Sequence, residues 1–233
     1  MTHFGYACFV SYRNSREEDG LISAFARELA NALEKYLDAY LYEDISRIEN
    51  QHMVFLDEKI IETGDFLPTE LGQGLCKSIC WIAVFTRNYL GGSLWCASEL
   101  HGMIALQENR ETLLNLKKPE HRFILPILLR GQSSDLPEVF GNHIFTDKFK
   151  KFNLASKNIY EHEGFIPHIE DLAALIAEKQ KLILEKCREN TVDLLHVHKD
   201  FVLKDINNPI EKAEIAAFID SIKSPKAPAF PIA

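Results

Sequence analysis

Residues 79–85 read ICWIAVF, the longest purely apolar run in the chain. Two other runs, mostly apolar, precede it at Tyr6–Tyr12 and at His52–Leu56. Runs of this kind are typical of strands that are buried on both faces. Between the first two, apolar residues recur every three or four positions from Leu21 to Leu37, which predicts a helix with one apolar face. Strands that alternate with helices predict an α/β fold with a parallel sheet.

The alternation continues toward residue 190. A short helix is expected from about Thr69 to Lys77, and Ser93 is expected to cap the next helix. The run Arg122–Leu129 predicts a fourth strand, and Ile144–Phe145 predicts a short fifth strand. A long helix should follow, from about Pro167 to Glu189. We therefore expect a central parallel sheet of five strands with helices on both faces.

Residues 191–233 are expected to be an extension of a first domain that spans residues 1–190. Leu194–Leu203 is compatible with a strand or with an irregular segment. Asn208–Glu211 reads NPIE, which is typical of a helix start because Asn caps, Pro fits the first turn and Glu fits the third position. The helix has too few apolar residues to form a core alone, so we expect it to dock on the first domain or on a partner. The Pro-rich tail that follows is expected to be extended or disordered.

Composition and charge narrow the range of functions. The chain has 26 Lys and Arg against 34 Asp and Glu, a net charge of −8. That balance argues against binding to nucleic acid or to an anionic membrane. The longest apolar run is too short to span a bilayer, and the N-terminus lacks the features of a signal peptide. Five cysteines without paired spacing predict reduced thiols, and together these features predict a cytoplasmic protein.

Two pairs of residues were considered as metal ligands. Cys76 and Cys80 have no two further ligands nearby in the sequence, as a zinc site would require. His196 and His198 would share one face of a strand, and their simplest interpretation is an exposed strand edge. We therefore expect neither a metal nor a cofactor.

Polar residues follow the ends of the first three predicted strands. Ser11, Tyr12 and Arg13 end the first strand, Asp57 follows the second, and residues 86–99 follow the third. Carboxyl ends of parallel strands meet at one edge of the sheet, which is where ligands bind in such folds. A guanidinium, two carboxylates, hydroxyls and aromatic rings suit a ligand with phosphate and ring groups, such as a nucleotide. Taken singly, each residue is also compatible with ordinary loop chemistry.

Three ordered motifs resemble those of Toll/interleukin-1 receptor (TIR) domains. Phe9–Arg13, FVSYR, resembles the first box, and Val54–Asp57, VFLD, with Gly64–Phe66, GDF, resembles the second box and the BB loop. Asn88–Leu100, NYLGGSLWCASEL, resembles the segment from third strand to helix in the NAD-cleaving TIR domains of plants, bacteria and animal axons. The resemblance covers roughly residues 4–190. It implies a flavodoxin-like fold and cleavage of NAD+ at the nicotinamide–ribose bond.

The resemblance also implies a set of site residues. Glu99 is similar to the catalytic glutamate of the family, and Trp95 matches the tryptophan one helical turn before it. Gly64 matches a glycine of the BB loop. The residues implied to bind substrate are Tyr12, Arg13, Asp57, Phe66, Ser93 and Trp95.

The chemistry of NAD+ cleavage requires one carboxylate. Nicotinamide leaves as a neutral pyridine, so it needs no general acid, unlike the alcohol that leaves an ordinary glycoside. A carboxylate beside the ribose can stabilise the oxocarbenium-like charge, hold the ribose hydroxyls or attack the anomeric carbon. Trp95 and Glu99 lie four residues apart on one helix face, so the indole would form an apolar wall beside the carboxylate. We expect Glu99 to be partly exposed.

Two other functions are compatible with this fold. A non-catalytic TIR adaptor works through TIR–TIR assembly alone, and such adaptors tend to lack the glutamate, so Glu99 favours an enzyme. A phospho-acceptor receiver would need an aspartate at the end of the third strand, where Phe85-Thr86-Arg87 has none.

The chain resembles the stand-alone TIR proteins of bacterial antiphage defence, in which a separate protein senses infection or receives a nucleotide signal. That resemblance implies NAD+ as substrate, self-association through TIR–TIR contacts and a separate sensor or effector protein as partner. ADP-ribose, a cyclic isomer and a conjugate are equally compatible with the sequence as products.

Overall fold

A computed structural model of the chain describes residues 4–13, 20–41, 52–57, 66–116, 122–132, 136–137, 140, 148–150, 152 and 162–223. Within these residues, four parallel strands form one sheet in the order β2-β1-β3-β4. The strands are β1 (Tyr6–Tyr12), β2 (Val54–Phe55), β3 (Ser78–Phe85) and β4 (Ile124–Leu128). The parallel α/β fold predicted from the sequence is confirmed. The described part of the sheet has four strands where five were expected, and the fifth expected strand, at Ile144–Phe145, lies outside the described residues.

Helices cover both faces of the sheet. They are α1 (Leu21–Tyr40), α2 (Leu67–Lys77), α3 (Leu94–Leu113), α4 (Phe165–Asn190), α5 (Leu194–Val197) and α6 (Pro209–Lys223). Helix α1 packs on α4, and both contact the sheet from the same side. Helices α2 and α3 pack on each other and against the sheet, and α6 packs on α3.

The register of the two central strands determines where the site residues lie. β1 and β3 pair from Tyr6 with Ser78 to Tyr12 with Val84, and every residue of both strands is buried. Their carboxyl ends therefore meet at the same edge of the sheet. The strand order reverses between β1 and β3, and in open parallel sheets ligands bind at the carboxyl edge at this point.

Two buried polar side chains hold α3 against the sheet. Gln107 accepts hydrogen bonds from the backbone N–H groups of Phe123 and Ile124 at 3.0 and 3.2 Å. The guanidinium of Arg110 donates to the carbonyls of Ser78 and Ile79, both at 2.9 Å. These contacts satisfy backbone groups at the starts of β3 and β4, which would otherwise be buried without partners. They fix the position of α3, the helix that carries Glu99.

The C-terminal extension packs against α2 and α3. The backbone N–H of Leu203 donates to the carbonyl of Pro68 at 3.1 Å, and Ser98 Oγ donates to the carbonyl of Lys204 at 2.9 Å. A Cβ atom at Gly72 would lie 2.9 Å from the carbonyl oxygen of Phe201. A Cβ at Gly102 would meet a methyl carbon of Leu203, a side-chain end that can rotate away. The close approach of the extension to α2 therefore depends on glycine at position 72, where the neighbours are backbone atoms.

The segment after Asn190 differs in form from the expectation. Leu194–Val197 is a short helix rather than a strand or an irregular segment, because the Asp193 carboxylate caps it at the N–H groups of Leu195 and His196. His198 is buried, with Nδ1 2.8 Å from the carbonyl of Leu194 and Nε2 3.0 Å from Asn109 Oδ1. The exposed strand edge expected for the two histidines is therefore wrong, since His198 joins the extension to α3. The Pro-rich tail lies outside the described residues.

Candidate active site

Glu99 lies in the second turn of α3. Ser93 caps this helix, and its side-chain oxygen accepts from the N–H of Cys96 at 3.3 Å, as the sequence predicts. Position 99 lies beyond the cap, so its carboxylate is not used to satisfy the helix end. The side chain of Glu99 turns toward β1 instead and is 7% exposed. The expectation of a partly exposed glutamate is therefore wrong.

A buried hydrogen-bond network holds the carboxyl group of Glu99. Ser11 Oγ, near the end of β1, donates to Glu99 Oε2. The same Ser11 oxygen lies 2.5 Å from the hydroxyl of Tyr89, in the loop after β3. Tyr89 is fully buried, and its ring packs on Phe85 with the centroids 4.5 Å apart. Side chains from β1 and from the loop after β3 thus form a hydrogen-bond chain that ends at a carboxyl group on α3.

Burial dominates the electrostatics of this network. Desolvation raises the pKa of Glu99 to about 8, the hydrogen bond from Ser11 opposes that rise, and the Asp57 carboxylate adds to it. Burial also raises the pKa of the Cys96 thiol and of the Tyr89 hydroxyl. The raised pKa favours the protonated form of the Glu99 carboxyl at neutral pH. A strongly shifted carboxyl group at the ligand-binding edge of a sheet is typical of a functional site.

Asp57 and Arg13 lie beside the network. The sequence predicted that both would lie at this edge of the sheet. Asp57 is half-buried and close enough to raise the pKa of both Glu99 and Cys96. The guanidinium of Arg13 lies against Gly92, where a Cβ atom would come within 2.7 Å of its Cζ. The guanidinium also acts on Cys96 electrostatically, in the sense that lowers the pKa of that thiol.

The remaining predicted binding residues differ in exposure. Tyr12 is buried, and its carbonyl accepts from the Cys96 thiol at 3.3 Å. Trp95 is half-buried and packs against the core. Phe66 is 59% exposed at the start of α2, so its ring is available to a ligand or to another protein. Gly64 lies outside the described residues.

Sequence reasoning missed the role of Tyr89. Tyr89 belongs to the motif Asn88–Leu100, but the motif alone does not indicate a function for it. A tyrosine beside a buried strand end indicates a need for a hydrogen-bond partner, because a buried phenol is costly without one. Tyr89 also lines a cleft of about 370 Å³, whose other walls include Leu136 and, from α6, Ile222.

Two further features bear on the possible chemistry. Among the described residues, no group of three or more His, Cys, Asp or Glu side chains is placed to hold a metal ion. Of the helices in that same part of the chain, none combines the length and apolarity needed to cross a membrane.

Comparison with known protein families identifies the first half of the chain. Residues 5–117 match the family model for the TIR domain, a stretch that runs from β1 through α3. β4, α4 and the extension lie outside the matched residues. Neither the curated proteins nor the solved structures gave a match to the chain.

Proposed function

We propose that this protein is an NAD+ nucleosidase that cleaves the nicotinamide–ribose bond. TIR domains include NAD-cleaving enzymes and non-catalytic adaptors. The observation that carries the proposal is the state of Glu99: a buried carboxyl group with a raised pKa, held by Ser11 at the carboxyl edge of the sheet. A glutamate with only a structural role in a helix would gain stability by facing solvent.

In the proposed reaction the bond between the anomeric carbon and the pyridinium nitrogen breaks, and both of its electrons go to nicotinamide. Nicotinamide leaves neutral, and the positive charge moves to the ribose. The Glu99 carboxylate stabilises that charge at short range in a site with little water. Water then adds to the anomeric carbon and releases a proton, giving ADP-ribose. An internal or external nucleophile in place of water gives a cyclic isomer or a conjugate.

The bound substrate itself supplies the condition for Glu99 to ionise. A pyridinium or oxocarbenium charge within a few ångströms favours the carboxylate form and lowers its pKa. The raised pKa of Glu99 is therefore compatible with an ionised Glu99 in the substrate complex. Trp95 would wall the ribose pocket, and Arg13 would contact a phosphate. Tyr12, Asp57, Phe66 and Ser93 complete the proposed binding site.

The proposal extends to the biological setting. A TIR enzyme that depletes NAD+ or makes a signal from it suits immune signalling or antiphage defence in the cytoplasm. TIR domains generally self-associate, so we propose that assembly of subunits completes the site and that a separate sensor or effector protein controls it. Turnover per subunit should then rise with protein concentration. Full specific activity in dilute monomer would count against control by assembly.

The test is incubation of the purified chain with NAD+, followed by chromatography of the products. The dilute protein and a sample clustered by a crowding agent or on a surface are measured in parallel. Release of nicotinamide with stoichiometric ADP-ribose, a cyclic isomer or a conjugate supports the proposal and identifies the product. No release of nicotinamide, even from the clustered protein, would exclude it.

One observation favours a second candidate, a non-catalytic signalling adaptor. Glu99 is bonded inward to Ser11, an arrangement that also joins α3 to β1 structurally, and the exposed ring of Phe66 suits a TIR–TIR contact. An adaptor would self-associate without releasing nicotinamide, and Phe66→Ala would then weaken self-association.

A further inference from the structure

In the hydrogen-bond chain from Tyr89 through Ser11 to Glu99, the direction of each bond depends on the ionisation state of Glu99. Each hydroxyl carries one proton and can donate only one hydrogen bond. When Glu99 is ionised its oxygen can only accept, so Ser11 must donate to it. The Ser11 oxygen is then an acceptor for the Tyr89 hydroxyl, which lies 2.5 Å away. In this state the Tyr89 hydroxyl, the Ser11 hydroxyl and the bonded Glu99 oxygen each have a hydrogen-bond partner.

The same heavy-atom positions also suit the protonated carboxyl group. A neutral Glu99 can donate to the Ser11 oxygen. The Ser11 proton then turns toward the oxygen of Tyr89, and the Tyr89 proton rotates away from Ser11. Burial raises the pKa of Tyr89 well above its ordinary value, so the phenol keeps its proton in both states. The chain therefore accommodates both ionisation states of Glu99 when two hydroxyl protons rotate, and no side chain needs to move.

We propose that Ser11 is the positioning residue of Glu99: its hydroxyl, directed by Tyr89, holds the carboxylate in place for cleavage of NAD+ and reverses its hydrogen bond when the carboxyl is protonated. This role rests on the proposed NAD+ cleavage for its purpose. Its central test is independent of turnover, because the hydrogen bond from Ser11 acts on Glu99 without any substrate.

The surroundings of Glu99 make Ser11 the contact that favours ionisation. Asp57, at the end of β2, opposes the carboxylate through its own negative charge. Cys96, on the same helix, couples to Glu99 with a thiol whose pKa is raised, so it contributes no charge at neutral pH. Arg13 acts on Cys96 from the end of β1. The hydrogen bond from Ser11 is the interaction that lowers the pKa of Glu99 against burial and Asp57.

The test is an infrared titration of Glu99 in the full chain without substrate. The difference between the parent and Glu99→Gln isolates the carboxylic C=O band of this residue from those of the other acidic side chains. For each variant, the same difference is taken against a double variant that also carries Glu99→Gln. That difference gives the titration midpoint of Glu99 in the variant. Ser11→Ala should move the midpoint up by about one pH unit, the effect of losing one hydrogen bond to a charged group. Tyr89→Phe should move it in the same direction by less, because Ser11 can still donate.

Ser78→Ala provides the matched control. Ser78 is another fully buried strand serine with one hydrogen bond, to the carbonyl of Gly74 at 2.7 Å, at the opposite end of the sheet from Glu99. It should leave the Glu99 midpoint unchanged. An unchanged midpoint in folded Ser11→Ala would overturn the proposal. If Ser11→Ala does not fold, Tyr89→Phe decides, and an unchanged midpoint there would overturn it equally.

A second readout separates this proposal from the proposed function. The pH profile of kcat/KM reports ionisations of the free enzyme, so its acid limb should move up in Ser11→Ala with activity recovered at high pH. A uniform loss at every pH would show that Ser11 is only structural. If the parent released no nicotinamide, NAD+ cleavage would be excluded, while the infrared shift would still establish how Glu99 is held.

Discussion

Two of the contacts that helix α3 makes with the rest of the molecule differ in kind. Toward β1 it buries the carboxyl of Glu99, where desolvation raises the pKa and a neighbouring Asp57 raises it further. Toward the extension it presents Ser98 and Gly102, which receive the chain around Leu203 with its backbone satisfied and its side chain 3% exposed. The first contact works against stability and the second adds to it. Costly burial of a polar group is typical of positions that serve a function. The comparison therefore distinguishes the part of α3 with the proposed function, at Glu99, from the part that packs on the extension.

Removing the extension should have the largest effect on stability. A chain ending at Asn190 loses the burial of Leu194, Leu203 and Ile215, each at most 3% exposed. At about 1.5–3 kcal/mol for each large apolar side chain, the free energy of unfolding should fall by roughly 5 kcal/mol. We expect a cooperative thermal melt at a lower temperature, with the sheet intact.

Calorimetry of three chains checks this, with a chain ending at Lys223 as the shortened control that keeps α6. Retention of a cooperative melt supports residues 1–190 as a domain with an added extension. Loss of any cooperative melt would show that the extension belongs to the core.

Glu99→Gln should have the largest effect on chemistry. The amide keeps the volume and can still bond Ser11, but it removes the charge that answers the oxocarbenium ion. NAD+ cleavage should fall by at least ~10²-fold, the scale for one preorganised electrostatic group. The control is Glu108→Gln, an exposed glutamate on the same helix, which should cleave normally. Nicotinamide release by chromatography measures both, and near-normal release from Glu99→Gln would refute the mechanism.

The pH dependence of stability tests the cost of burying Glu99. Its folded pKa is raised to about 8 from an ordinary value of 4.5, so the folded protein holds the proton more tightly than the unfolded chain. The contribution of this group is fully present below about pH 4.5 and is lost as the pH rises toward 8. Between these limits the free energy of unfolding should fall with pH by a few kcal/mol.

Denaturant melts of the parent and of Glu99→Gln from pH 5 to pH 8 measure that effect. The variant cannot ionise at this position, so its stability should decline less and should exceed that of the parent at pH 8. Parallel pH curves for the two proteins would mean that Glu99 titrates near its ordinary value and that the contrast between the two contacts of α3 does not exist.

The strands were predictable because burial on both faces leaves its record in composition. The run at residues 79–85 is apolar throughout and forms the body of β3. The place of Glu99 followed from its motif and from the cap at Ser93. Its burial did not, because Ser11, which donates to Glu99, lies 88 positions away along the chain and meets it only in the folded sheet.

Docking of the C-terminal helix was expected, on the first domain or on a partner, and α6 packs on α3. The close approach of the segment around Leu203 was not predictable, for a different reason. Gly72 and Gly102 occur inside helices, where propensity alone counts them as unfavourable. Their purpose is visible only when the segment around Leu203 lies against them. The short helix at Leu194–Val197 was missed because four residues are too few to show a helical period.

Gly72→Ala sharpens the comparison with the smallest expected effect. In an isolated helix the change from Gly to Ala stabilises by about 1 kcal/mol. Here the new Cβ would lie 2.9 Å from the carbonyl oxygen of Phe201 and 3.1 Å from the backbone nitrogen of Leu203, and backbone atoms cannot rotate away as a side chain can. Steric overlap of this kind costs about 1–3 kcal/mol, so the full chain should be destabilised by about 1 kcal/mol. In the chain ending at Asn190 the obstacle is absent, and the same substitution should stabilise.

Denaturant melts of the four proteins measure this change of sign. NAD+ cleavage by the full-length variant should match the parent at a temperature where both are folded. If Gly72→Ala has the same sign in both chains, the extension does not pack on α2 as described.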